Sequence, residues 1–254
     1  MSVSRSYLDT MIERLQTMRD TQLDAIAEAA RVCADTILGD NLVFTFGTGH
    51  GGFAALEMFP RTGTITGFRP IVDTPIALMH HVWGDMGTFQ YRFLHTRPGY
   101  GPVILKANRA RDGDALMLFS HSGINNVILD MALEFKQAGR PVIAITSVPH
   151  SSAVPSRHSS GKRLYEVADI VVDTGVPKLD AAQFIDGLEH PVGPTSTSIA
   201  IAAGHAIVSA TTEEIVRRGK KPYVMVNTNT ASVEEAHRKN EENYEELWRL
   251  LCKR

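Results

Sequence analysis

The chain has 254 residues, 43% of them hydrophobic, and a formal charge of -2. That length suits one large α/β domain, and the balanced charge gives no reason to expect nucleic acid or an acidic membrane surface as a partner. Two cysteines, Cys33 and Cys252, lie near opposite ends without C-x-x-C spacing, which argues against a disulfide framework or a thiolate metal site. The start, MSVSRSYLDTMIERL, lacks the basic-then-apolar plan of a signal peptide, and no run reads as a membrane span. A cytoplasmic location with no membrane partner is therefore expected.

Residues 3–38 place Leu8, Met11, Ile12, Leu15, Met18, Leu23, Ile26, Ala27, Ala30 and Val32 three and four apart, predicting a helical arm that Gly39 stops. NLVFTF (41–46) predicts a strand, GTGHGG a glycine turn and FAALEMF a helix. Residues 74–101, rich in His, Gly and aromatics, read as a helix followed by a loop over a sheet edge. ALMLF (115–119), the turn SHSGINN, the helix VILDMALEFKQAG and PVIAIT (141–146) form a βαβ unit, whose strands are expected to be parallel. ADIVVD (168–173) and PYVMVN (222–227) predict two more strands, with a long helix, TSIAIAAGHAIVSATTEEIVRRG, between them. The last segment is a charged helix with Tyr244, Leu247, Leu250 and Leu251 on a narrow apolar stripe. The expected fold class is doubly wound α/β. It divides into a helical arm at 1–38, a main domain at 39–230 and a C-terminal helix at 231–254. The terminal helices either pack on the parent sheet or serve self-association.

In open parallel sheets ligands bind beyond the carboxyl ends of the strands, where turn amides and helix N-termini point. SHSGINN offers hydroxyls from Ser120 and Ser122, close backbone approach at Gly123, an amide from Asn125 and free N–H groups at the helix start. This is a neutral cradle for a phosphate monoester. The alternative is that Ser122 or Asn125 merely caps the helix. The first loop carries Gly at 47, 49 and 52, yet no acidic residue follows a strand at the distance a dinucleotide ribose requires; Asp73 has the separation but no identifiable crossover. His80, His81, Asp85 and His95 could form a zinc set, but they lack a recognised ligand spacing, so neither metal nor cofactor is expected.

Together, FGTGHGGFAALEMF, LFSHSGINNVILDMALEFKQAGRPVIAITS, SRHSSGKRLYEVADIVVDTG and VGPTSTSIAIAAGHAI resemble the sugar isomerase (SIS) domain, over roughly residues 35–230. The chain is most similar to a group of bacterial single-SIS proteins of about this length. The resemblance implies a flavodoxin-like three-layer sandwich with a five-stranded parallel sheet, a homodimer or homotetramer, and a phosphorylated sugar as ligand. It matches Ser120, His121, Ser122 and Asn125 to the family's phosphate loop and Thr146 and Ser147 to a hydroxyl pair at the next strand end. Gly49, His50 and Gly51 match the first loop, though GHGG departs from the similar group, which has a second polar residue after the histidine. Thr195 and Ser196, at the start of the long helix, are matched as further substrate contacts.

Aldose–ketose isomerisation needs a base beside the carbon, an acid for the oxygen and a fixed phosphate. Glu57 matches the acidic position that phosphoheptose isomerase-like enzymes use as base, and its apolar neighbours predict a shielded carboxyl of raised pKa. The acid is His205, on the long helix, or its rival His50. Each has a plainer reading: Glu57 as a solvated helix residue and His205 as a core histidine. SRHSSGK supplies Arg157, His158, Ser159 and Lys162, either as a capped helix start or as a lid over the sugar. Alternatives to the isomerase are a lyase resembling the N-acetylmuramic acid 6-phosphate etherase and a phosphosugar sensor without turnover.

Overall fold

Strand residues alternate between two faces, and here both faces are buried. The computed structural model describes residues 2–77, 87–229 and 232–253. Five parallel strands, β1 (Val43–Gly47), β2 (Phe68–Pro70), β3 (Ala115–Ser120), β4 (Val142–Thr146) and β5 (Ile170–Asp173), form a sheet of order β2-β1-β3-β4-β5. Val43, Met117, Phe119, Ile143, Ile145 and Val172 point to one side, packed with α2 (Leu23–Leu38), α3 (His50–Glu57) and α10 (Ser196–Arg217). Phe44, Phe46, Leu116, Leu118 and Ala144 point to the other, as the period of two requires. They meet α6 (Tyr100–Ala107), α7 (Asn126–Gln137), α9 (Leu164–Val167) and α11 (Val233–Cys252). This is the expected flavodoxin-like sandwich, and its near-continuous apolar strands reflect burial on both faces.

Four details differ from the pattern read along the chain. The helical arm is two helices, α1 (Val3–Thr21) and α2, parted at Gln22; α2 buries Ala29, Ala30, Cys33 and Ala34 in the sandwich, whereas α1 buries only Met18. Residues 222–227 form no strand, because Val224 makes only an isolated antiparallel bridge to Ile65; the sheet's edge is taken by β2, too short to have a periodicity. Residues 74–101 hold α4 (Thr74–Ala77), α5 (Gly87–Leu94) and the start of α6, so a second helix lies where a loop was expected. Finally, α10 is the one helix among the described residues long and apolar enough to cross a membrane; it packs against α2 and α3 and buries Ile199, Ala203, Ile207 and Ile215.

The remaining elements frame one end of the sheet. They are α8 (Val148–Ser152) and an antiparallel hairpin of β6 (Ala181–Gln183) and β7 (Val192–Pro194), against which α1 lies. The terminal helix α11 buries Leu247 and Leu250 on the sheet side and leaves Tyr244 and Trp248 exposed. On α1, Leu8, Ile12 and Leu15 form an exposed stripe.

Candidate functional site

The strand order reverses direction between β1 and β3, and at such a switch point the loops after the two strands diverge and open a crevice. A cavity of about 480 Å³ lies there, lined by Thr48, His50 and Gly51 from the first loop and Phe119, Ser120, His121, Ser122 and Asn125 from the second. Tyr91, Ile145, Thr174, Asp180, Pro194, Ser196, Thr197, Ser198 and Ala200 complete the wall. The two loops meet because Gly51 permits it: a Cβ there would stand 2.4 Å from the carbonyl oxygen of Phe119.

The second loop is held open by its own polar groups. Ser120 Oγ accepts from the Gly123 amide at 3.1 Å, and Gly123 takes φ +59, with a virtual Cβ 2.9 Å from Leu164 Cβ. Gly123→Ala is accordingly expected to lower stability by about 1–3 kcal/mol and to deform the loop. Thermal unfolding with and without phosphate would show both effects. Asn125 stands at the N-cap of α7 but makes no capping hydrogen bond. Its Oδ1 instead accepts from Arg157 Nη1 at 3.1 Å. Capping therefore does not account for Asn125. Among the described residues, Ser122 Oγ and the backbone amides of Ser122, Ile124 and Asn125 have no hydrogen-bond partner. Free amides at a helix N-terminus, a free hydroxyl and an adjacent guanidinium together make an anion site.

The N-terminus of α10 is already filled. Asp180 Oδ1 accepts from the amides of Thr195 at 2.9 Å and Ser196 at 2.7 Å, and Oδ2 from Ser196 Oγ at 2.7 Å. Burial acts to raise the Asp180 pKa, but the hydrogen bonds from Ser196 and Thr195 outweigh it and the net shift is downward. An external anion is thereby directed to α7. Thr195 is fully buried with its hydroxyl on Asp180, so it faces no ligand, while Ser196 lines the cavity with its hydroxyl engaged.

Other expected residues are placed differently. Thr146 and Ser147 are fully buried and absent from the cavity wall; Ser147 Oγ donates to the Val176 carbonyl and accepts from the His150 amide, and Thr146 Oγ1 donates to the His121 carbonyl at 3.4 Å. They fix backbone where a ligand contact was expected. His158 Nε2 meets Asp130 Oδ1 at 3.0 Å and Nδ1 meets Ser160 Oγ at 2.8 Å, pinning the 154–163 loop so that Arg157 reaches Asn125. Ser159 and Lys162 are exposed and away from the cavity wall.

Glu57 and His205, on α3 and α10, do come together, with Glu57 Oε1 3.3 Å from His205 Nε2. Arg61 also donates to Glu57. Burial acts to raise the Glu57 pKa, but Arg61 and His205 outweigh it, so the carboxyl lies below its ordinary value rather than above. The raised pKa expected from the apolar neighbours fails because Arg61, one turn on, supplies a cation. Neither residue lines the cavity; Glu57 lies six residues past Gly51 and His205 five residues past Ala200, the last lining residues of their helices, about 9 Å and about 7.5 Å along the axis. His50 does line the cavity.

His121 is the least satisfied group of the site. Among the described residues neither buried ring nitrogen has a partner, and the ring packs 4.3 Å from that of His150. Burial, with help from His150 and Arg14 and against Asp180, pulls its pKa down to about 4. The unfolded chain then binds the extra proton between pH 6.5 and 4, so stability is full above about 6.5 and falls as pH drops through that window, by up to about 3 kcal/mol. Denaturant unfolding at pH 7, 5.5 and 4 is expected to show this slope and His121→Gln to flatten it.

Of the possible zinc set, His80, His81 and Asp85 lie outside the described residues. His95 is buried, stacked on Tyr91 at 4.3 Å, with Nδ1 2.5 Å from the Tyr91 carbonyl. Among the described residues no group of three or more His, Cys, Asp or Glu converges in a metal-holding arrangement.

A family model described as the SIS domain matches residues 6–147. The chain belongs to the SIS-domain family. Among its relatives, the UPF0309 protein of Shouchella clausii is 34% identical over 229 residues, covering 90% of this chain and 91% of the relative. The UPF0309 protein of Oceanobacillus iheyensis is 36% identical over 208 residues, 82% of either chain. The fold is shared with a phosphoheptose isomerase from Neisseria gonorrhoeae (TM-score 0.53, 15% identity, 82% of this chain and 97% of that one). It is also shared with the Vibrio vulnificus NanR protein complexed with ManNAc-6P (TM-score 0.50, 12% identity, 93% and 68%).

Among the lining residues of this SIS chain that its sequence did not point to are Tyr91, Asp180 and Thr174. Tyr91 lies on α5, inside the region without clear periodicity, and a Cβ on Gly49 would stand 3.0 Å from its hydroxyl. Asp180 and Thr174 lie in loops whose meetings, with the start of α10 and the end of β4 respectively, are purely tertiary. The only local signal was an Asp followed by no helix of its own.

Proposed function

We propose that this SIS protein binds a sugar phosphate in the cavity at the β1/β3 switch point and interconverts its aldose and ketose forms through an enediol. The observation that carries the reading is the α7 N-terminus, where amides and the Ser122 hydroxyl stand unpartnered beside Arg157. A phosphate there anchors one end of a sugar. The shared fold of the phosphoheptose isomerase and of the protein complexed with ManNAc-6P supports it. Proton transfer between C1 and C2 is given to the Glu57–His205 pair, with Glu57 ionised at neutral pH and ready to accept a proton, and to His50 at the cavity wall. The exposed α1 stripe of Leu8, Ile12 and Leu15 is the expected self-association surface.

The experiment is incubation with pentose, hexose, heptose and aminosugar phosphates in D2O, read by proton NMR. Deuterium entering C2 of one of them is the expected result. A sensor is the second reading, favoured by the absence of Glu57 and His205 from the cavity wall. A ligand that raises Tm yet exchanges no proton would select it, and loss of a 3-O substituent would select the lyase.

A further inference from the structure

Two side chains of the cavity wall, His121 and Thr174, carry polar atoms that are buried and, among the described residues, unpartnered: both imidazole nitrogens of the first and Oγ1 of the second. They follow β3 and β5, so they flank the end of β4. More than about nine-tenths of buried polar groups in folded proteins are paired. An unpaired couple on one cavity wall therefore marks where a ligand group belongs.

The chemistry of that group follows from the neighbours. It is not a second anion, because Asp180 lies on the same wall with its carboxylate held ionised by the α10 N-terminus. Nor is it a cation, since Asp180's oxygens are already committed to Thr195 and Ser196 and Arg14 on α1 is close enough to oppose positive charge on His121. The His150 ring, with Nδ1 2.5 Å from the Lys178 carbonyl, packs on the remaining side. A neutral imidazole has one donor and one acceptor, and a threonine hydroxyl one donor and two acceptor lone pairs; a sugar hydroxyl, which also donates and accepts, is their complement. A half-turn of the ring about Cβ–Cγ exchanges nitrogens for carbons of nearly equal size, so either edge can face the ligand.

We propose that His121 and Thr174 form the subsite that reads a hydroxyl on the non-phosphorylated part of the sugar phosphate, making His121 a specificity-determining residue. The assignment rests on the phosphosugar reading above. It separates labour within one turn: Ser122 and Asn125 hold the phosphate, and His121, next to Ser122 in sequence, meets the sugar together with Thr174.

Calorimetric titration at pH 7 with inorganic phosphate and with the best sugar phosphate of the panel tests it on the wild type, His121→Phe, His121→Gln and Thr174→Val. The expected result is a loss of about 10- to 100-fold for the sugar phosphate in His121→Phe, partial recovery in His121→Gln, and a loss of the same sign in Thr174→Val. Inorganic phosphate should change by no more than about twofold. Unchanged sugar phosphate affinity in folded His121→Phe and Thr174→Val overturns the subsite, as does equal loss of both ligands, which would place His121 in the phosphate cradle. A wild type that binds neither ligand overturns the phosphosugar reading itself. Should His121→Phe fail to fold, Thr174→Val and His121→Gln decide.

Discussion

Replacing Ser122 and Asn125 together by alanine is expected to weaken sugar phosphate binding by roughly 10²- to 10⁴-fold, from two charge-assisted hydrogen bonds of about 1.5–3 kcal/mol each. The Asn125 truncation acts twice, because its Oδ1 also holds Arg157 at 3.1 Å. The unphosphorylated sugar should be spared. Folding should be nearly unaffected, since Ser122 Oγ bonds to no described residue and Asn125 caps nothing through its side chain. Titration of the double variant with a sugar phosphate and its parent sugar is the check. Equal loss of both would remove the phosphate from this turn.

Glu57→Gln is expected to slow deuterium entry at C2 by roughly 10²- to 10⁴-fold, the usual worth of a general base, while binding is retained because the phosphate is anchored at the α7 turn beside Arg157. The pH profile carries a second, independent signature. With Arg61 and His205 holding Glu57 below its ordinary 4.5, the base stays ionised across neutral pH. Exchange should then fall only on acidification below about 4.5. Arg61→Ala removes the nearer cation and should move that acid limb upward. Exchange that survives Glu57→Gln would transfer the base role to His50, which lines the cavity at the start of α3. A limb unmoved by Arg61→Ala would sever Glu57 from it.

The strands and the two glycine turns were legible because their signals are local. An apolar run of five or six residues followed by small polar residues marks a buried strand that ends at a ligand-facing turn, and ALMLF with SHSGINN is such a run. The family resemblance then brought four separated segments under one fold. Less was legible where the signal was short or the environment mixed. β2 has three residues, α5 lies in a segment of mixed periodicity, and residues 222–227 have strand composition but no partner strand beyond one bridge.

Roles within the site divide in the same way. Composition of the second turn suggested an anion cradle with Ser120 and Ser122 as hydroxyl donors, and the family resemblance added Thr146 and Ser147 at the next strand end without distinguishing the four. The fold distinguished them by what each already touches: Ser120 holds Gly123, Thr146 and Ser147 hold backbone carbonyls, and Ser122 remains free. Glu57 and His205 are 148 residues apart, and only the packing of α3 on α10 pairs them and places Arg61 to reverse the pKa expected from apolar neighbours. The sequence by itself determined β1, β3, β4 and β5 and the small polar turn before α7, because those follow from short-range periodicity and turn chemistry. Tertiary structure alone decided which donors stay free among the described residues, that Asp180 fills the α10 N-terminus, and that His121 has no described partner for either ring nitrogen, because each depends on groups distant in the chain competing for the same hydrogen bonds.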